Sequence, residues 1–389
     1  MLNIRHRFFA LLVLAIAPHA SAYPGFVGYG YTSCATCHYN PQGNGPLTDY
    51  GRALFAQEIA SRALIPASVS DETLAENSTF IPGVGAESRF KPSLKYRGLW
   101  FQVSPRPPSG ATKWVNMQQD LNLVVHLDSA AQHVASATVG LLGEKRVFYK
   151  NGNDDSLWFP RDYFFRSFVS NFSFTLGLVD KVFGIRTADH TAYNRSRLGL
   201  GQNDQVHGIV TQWTNAKWEI AGHLFVGNYH RIEEDRQKGF SLLVENEIAE
   251  KHRLGVSYID FATSFVKSRR FAIHDRLGLQ KFHGSSLMFE VGLKQDESLT
   301  AGSTETSGYG LIEGMFNLAR GYNILTTVEG YQTKLSADGV RATRWSFGLL
   351  TFPWQRLEAR LGIVQTKTFS PVEANADTWA VQAQVHASL

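Results

Sequence analysis

The chain has 389 residues, two cysteines and a formal charge of +4. That charge is small and spread along the chain, which excludes the clustered basic face of a nucleic-acid-binding protein. Both cysteines fall in one short motif, so no disulfide framework is available to hold the fold.

Residues 1–22 read as a secretory signal. Arg5 and Arg7 form a positive start, Phe8 to Ala17 an apolar run, and Ala20-Ser21-Ala22 a small-residue cleavage site. The run is about half the roughly twenty residues that a spanning helix needs. The mature chain is expected to begin at Tyr23, and loss of the two arginines takes the formal charge from +4 to +2.

Residues 23–65 form the next unit, built around Cys34-Ala35-Thr36-Cys37-His38. In C-x-x-C-H, two thiols add across the vinyl groups of a porphyrin and the adjacent imidazole becomes the proximal iron ligand. Cys34 and Cys37 are therefore the expected cofactor-binding residues, His38 the metal ligand, and one covalently attached haem c the cofactor. A thioredoxin-like redox pair would sit in a βαβ pattern, which is absent here. A structural zinc site needs four ligands, and no further cysteine or nearby histidine supplies them. Between His38 and Met117 the sequence has neither histidine nor methionine. Either the iron is five-coordinate or water-bound, or a side chain from elsewhere in the chain completes it. Pro41, Gly43, Gly45 and Pro46 predict a tight loop, and Leu47 to about Ala63 a helix. Its stripe of Leu47, Tyr50, Leu54 and Phe55 suits either a porphyrin face or the next domain.

Residues 66–92 read as a linker, and 93–389 as a barrel. Here apolar residues recur at period two: Val115, Met117, Leu121 and Leu123 in one segment, Leu287, Phe289, Val291 and Leu293 in another, Trp379 to Leu389 at the end. Such segments begin near residues 93, 113, 132, 160, 171, 205, 216, 238, 251, 268, 284, 305, 321, 340, 354 and 376. About sixteen strands, joined by alternating short turns and long loops, point to an antiparallel outer-membrane β-barrel with both termini periplasmic. Trp213, Trp218, Phe282, Tyr322, Phe352 and Trp354, beside the short turns, suit an interfacial aromatic girdle. The fold class is thus all-β, an outer-membrane barrel preceded by a small, partly helical haem-binding segment.

Ser33-Cys34-x-x-Cys37-His38 followed by Leu47-Thr48-Asp49-Tyr50-Gly51-Arg52 resembles the outer-membrane monohaem cytochrome–porin fusions of iron-oxidising bacteria. The architecture matches over the whole chain, the residues over about twenty positions. The resemblance implies electron transfer across the outer membrane, with ferrous iron as the donor and an extracellular iron-oxidase activity. Val182-Phe183-Gly184-Ile185-Arg186 looks like a porin strand end.

Among the barrel residues, His126, His223 and His274 fall on polar faces, and His126 is the first candidate for the sixth haem ligand. The loop from Ile185 to Gly201, with Arg186, Asp189, His190, Arg195 and Arg197, reads as a solvated surface loop; the alternatives are an inward constriction or a docking surface. Asp154, Asp155 and Glu233-Glu234-Asp235 read as ordinary loop charge; the alternative is a site for a hard metal cation. The expected function is electron transfer between an extracellular donor or acceptor and a periplasmic carrier, a cytochrome or copper protein, with membrane lipid around the barrel. The alternative is a porin for small solutes in which the haem segment is a plug, sensor or accessory. A haem enzyme acting on peroxide ranks last, because no distal His/Arg pair lies near His38.

Overall fold

The computed structural model describes residues 25–43, 45–78, 87–105, 112–141, 158–335, 339–371 and 374–388. The expected signal and cleavage site, Asp154 and Asp155 lie outside the described residues.

Sixteen antiparallel strands, from β1 (Phe90–Ser104) to β16 (Ala376–Ser388), pair with their chain neighbours, and β1 pairs with β16 to close the barrel. Every strand begins within three residues of its expected start. The period-two pattern is legible because the barrel turns an ordinary protein inside out. Leu224, Leu242, Ile273, Val291, Leu361 and Val381 are exposed on the outer wall. Asn122, Glu219, Ser241, Glu245, His274 and Glu290 are buried inside it. An outer apolar band over a polar interior is what a closed barrel in lipid requires. No helix among the described residues is long and apolar enough to cross a membrane.

At one end the strands are joined by short turns, such as 170–171 and 320–321, and at the other by longer connections such as 180–205 and 228–237. One turn on the short side, 279–285, is longer than the expected two residues. It carries a contact: Gly284 donates to the Gly28 carbonyl at 3.2 Å, and His283 meets Tyr29 edge-on at 4.6 Å between centroids. Trp218, Phe282 and Trp354 are exposed beside these turns, as a girdle demands. Phe352 is not part of it. It faces the lumen, fully buried, and packs with Ile59, Met315 and Leu350.

The segment before the barrel lies in its short-turn end. It comprises a helical turn α1 (Gly25–Gly28), helix α2 (Asp49–Leu54), which widens into a π-helical turn over Phe55–Ile59, and helix α3 (Asp71–Glu76). The expected helix to Ala63 stops at Ile59, with Ala60 extended. The expected linker holds α3, capped by Ser70, whose hydroxyl accepts from Thr73 N at 3.2 Å.

The loop between β5 (Phe172–Val179) and β6 (Val206–Thr214) corrects the solvated reading. It folds into the lumen, burying Phe183, Leu198 and Leu200 against Phe225, Ile259 and Phe261. Val182 to Arg186 is accordingly no strand end. Gly184 has a φ of +54°, and a Cβ there would lie 2.7 Å from the Glu290 carboxylate. Ile185 N donates to that same carboxylate at 2.5 Å.

Candidate functional site

The spacing of C-x-x-C-H is realised as one tight turn. Cys37 N and His38 N both donate to the Cys34 carbonyl, at 3.2 and 3.0 Å. Positions i, i+3 and i+4 of such a turn share a face, so Cys34, Cys37 and His38 present their side chains together. The loop that follows is closed by a backbone bridge between His38 and Leu47. Thr48 then caps α2: its hydroxyl accepts from Gly51 N at 3.0 Å, and its own N donates to the Cys37 carbonyl at 2.9 Å. Gly51 is required for this approach, since a Cβ there would lie 2.5 Å from the Cys37 carbonyl oxygen.

The barrel wall holds the turn in place. Arg276 of β10 (Val266–Gly278) donates to the Thr32 carbonyl at 2.8 Å, and is itself paired with Glu245 of β8 (Lys238–Ala249) at 2.9 Å. Arg166 donates to the Tyr39 carbonyl at 3.0 Å, and Asn40 to Asp180 at 3.2 Å. Lys91 pairs with Asp49 at 3.0 Å, and Lys95 donates to the Gly45 carbonyl. The two cysteines are not bonded to each other. Burial pushes the Cys34 thiol up from its ordinary value, and pushes Cys37 up to about 12 with Cys34 adding to the effect. Both thiols are therefore protonated at neutral pH, unlike reactive cysteines, whose pKa is lowered by a cationic neighbour.

A cavity of about 230 Å³ opens beside the turn. The plug segment forms its floor through Phe26, Cys34, Cys37, His38, Leu47 and Phe55, and the inward loop its roof through Ile185 to Ala188. A macrocycle attached to Cys34 and Cys37 would lie here. The lining is suited to one. Phe26, Val27, Leu47, Phe55, Met288 and Phe352 offer apolar surface, while six basic side chains against two acidic ones favour a ligand bearing carboxylates. Among those six, burial and the nearby Arg356 lower Arg52 to about 10, which leaves it charged at neutral pH. Three buried polar atoms in the wall, Nε2 of His386, Nε of Arg97 and Oε1 of Gln355, have no hydrogen-bond partner among the described residues. The residues present fit a covalently held haem.

The expected stripe is divided between its two readings. Leu47 and Phe55 line the cavity, Phe55 also meeting Phe352 edge-on at 5.2 Å. Leu54 is buried, and Tyr50 is half exposed with its hydroxyl donating to Tyr31 at 2.9 Å. The three histidines singled out from the sequence do face the lumen, but none lines the cavity. Nε2 of His126 is 2.7 Å from the Tyr39 hydroxyl, and Nε2 of His274 is 2.8 Å from Glu245. His223 is buried against Phe225. The lining histidine is His386, at a polar-face position of the last strand that was legible as lumen-facing. Its place beside the C-x-x-C-H turn depends on β16 closing against β1, which no local pattern records.

No known protein family's sequence profile matches the chain, and no curated protein does. Solved structures do. OmpT, an outer-membrane protein of Vibrio cholerae, superposes with a TM-score of 0.57 at 7% identity, over 77% of this chain and 97% of that one. An anion-selective porin from Comamonas acidovorans gives 0.54 at 10% identity, over 77% and 99%. OprB of Pseudomonas putida gives 0.56 at 8%, over 77% and 94%. At such identities the likeness is one of fold: residues 90 to 388 form a closed 16-stranded antiparallel barrel of the outer-membrane porin type.

Proposed function

We propose that the chain is an outer-membrane electron-transfer protein carrying one covalent haem c in its lumen. The observation that supports this reading is the cavity, where the C-x-x-C-H turn, an apolar slot and an excess of cations meet. Cys34 and Cys37 would hold the macrocycle through thioether bonds, and His38 would be the proximal ligand. The bound group would supply a one-electron carrier. Phe26, Leu47 and Phe55 would keep bulk water from it, and Lys95, Arg97 and Arg276 would neutralise its carboxylates. One haem cannot line a path through an apolar band about 25 Å tall from either rim; a position between plug and inward loop divides that path.

On the general rule that short turns face the periplasm, both chain ends would be periplasmic. A cytochrome or copper protein would then exchange electrons at the plug, and an extracellular donor or acceptor at the long loops. Ferrous iron as that donor rests on the family resemblance alone, and is tested by whether it reduces the haem in intact cells.

A second reading, a porin for small solutes with the segment as plug, sensor or accessory, draws support from the channel-forming neighbours in fold. Purified protein in liposomes separates the two. The conduit reading expects an enclosed redox dye to be reduced from outside while small solutes are retained. Free solute passage with no dye reduction would select the porin.

A further inference from the structure

The proposed haem would be held on one side by His38, and the plug offers nothing for the other. Every residue between His38 and β1 lacks an imidazole or thioether, so a second protein ligand must come from the barrel wall. Among the described residues that line the cavity, the only other histidine is His386.

Three observations converge on it. Its Nε2 is buried with no hydrogen-bond partner among the described residues, while its Nδ1 is 3.4 Å from Oε2 of Glu358. Buried polar atoms are nearly always partnered, and this imidazole nitrogen, unlike the equally unpartnered ones of His223, belongs to a residue that lines the cavity. The opposite nitrogen facing a carboxylate is the arrangement that fixes ring orientation and raises basicity in metal-bound histidines. Glu358 in turn accepts from Arg360 at 2.6 Å, which holds the carboxylate in place.

The wall is also tied to the haem loop at this point. His386 pairs with Arg97 across the barrel closure, and two residues along the same face Ser388 pairs with Lys95. Lys95 donates to the Gly45 carbonyl, in the loop closed by the His38–Leu47 bridge. The strand that carries His386 is thus registered to the motif through its neighbour.

We propose that His386 is the distal ligand of the haem iron, with Glu358 fixing its ring. This rests on the haem reading above. It would make the iron six-coordinate in the full chain and disfavour small-molecule chemistry at an open site.

The test is the absorption and electron-spin spectrum of the full-length holoprotein and its variants, with barrel assembly checked by heat-modified gel mobility. The expected wild type is low-spin. His386→Ala should retain covalent haem and become high-spin, and added imidazole should restore the low-spin spectrum. His386→Met, which replaces one ligand by another, should stay low-spin and raise the midpoint potential. His126→Ala should leave the spectrum unchanged, and Met288→Leu, beside the macrocycle but not bound to its iron, should stay low-spin. A high-spin wild type, a low-spin His386→Ala, or loss of the low-spin signal in Met288→Leu would overturn the assignment. Should His386→Ala fail to assemble, an unshifted potential in His386→Met would overturn it equally. Wild-type protein without covalent haem would instead remove the electron-transfer reading itself.

Discussion

Gly51 shows how closely the C-x-x-C-H turn is packed on the helix that follows it. Alanine there would place a methyl group 2.5 Å from the Cys37 carbonyl oxygen, against backbone that cannot yield without moving the motif. Gly51→Ala is expected to cost about 1–3 kcal/mol of local stability, the range for overpacking. The readout is reduced haem staining and faster proteolysis of the segment, with barrel assembly intact. Gly330→Ala, where an added Cβ meets nothing within 4 Å, should change neither. Residues of this kind differ in how far a sequence reveals them. The juxtaposition of Cys34, Cys37 and His38 is legible because it needs only a single turn of chain. His126 was equally legible as a lumen histidine, yet its Nε2 faces Tyr39, a partner 87 residues away. His386 was visible as a lumen residue but not as a neighbour of the motif, because that contact exists only once the barrel has closed.

At the scale of elements, the strands are the legible part, since a two-residue period is imposed on each by lipid outside and polar groups within. Val381 and Gln382 sit side by side in the middle of β16, the first exposed outward and the second in the lumen wall. Val381→Arg is expected to cost about 2–4 kcal/mol of barrel stability, as for a cation at the bilayer midplane. Gln382→Arg should cost far less; equal losses in unfolding titrations would mean the faces are misassigned. Glu290, a lumen position that looks tolerant from the sequence, is not one. Its carboxylate accepts from Ile185 N at 2.5 Å and from the Tyr309 hydroxyl at 2.7 Å, which makes it the anchor of the inward loop. Glu290→Ala leaves a buried donor unpaired at a cost of about 1–3 kcal/mol, and the expected result is a measurable rise in single-channel conductance. The inward course of that loop escaped the sequence because its apolar residues, Val182, Phe183, Leu198 and Leu200, follow neither strand nor helix periodicity. They pack against one another and the wall through the loop's own turns.

The whole molecule is a barrel closed from two directions, by the N-terminal segment at the short-turn end and the β5–β6 loop above it. Arg320 clamps the first closure: its guanidinium donates to the Ala60 and Ala56 carbonyls at 2.9 and 2.8 Å and to Asp71 at 3.0 Å. Arg320→Ala should loosen the plug by about 1 kcal/mol for each bond lost, seen as faster protease cleavage near residues 56–71 and greater solute leakage. The fold alone would serve a solute channel as well as an electron carrier, and the porin neighbours share it without sharing its sequence. What distinguishes this chain is the placement of one C-x-x-C-H turn against a lumen cavity lined by cations and apolar rings. The most direct test is the mass of the denatured, purified chain expressed in cells competent for c-type haem attachment. The expected result is a mature chain carrying one covalent haem, lost in Cys34→Ala/Cys37→Ala while the barrel still assembles. A wild-type chain with no haem under the same conditions would contradict it.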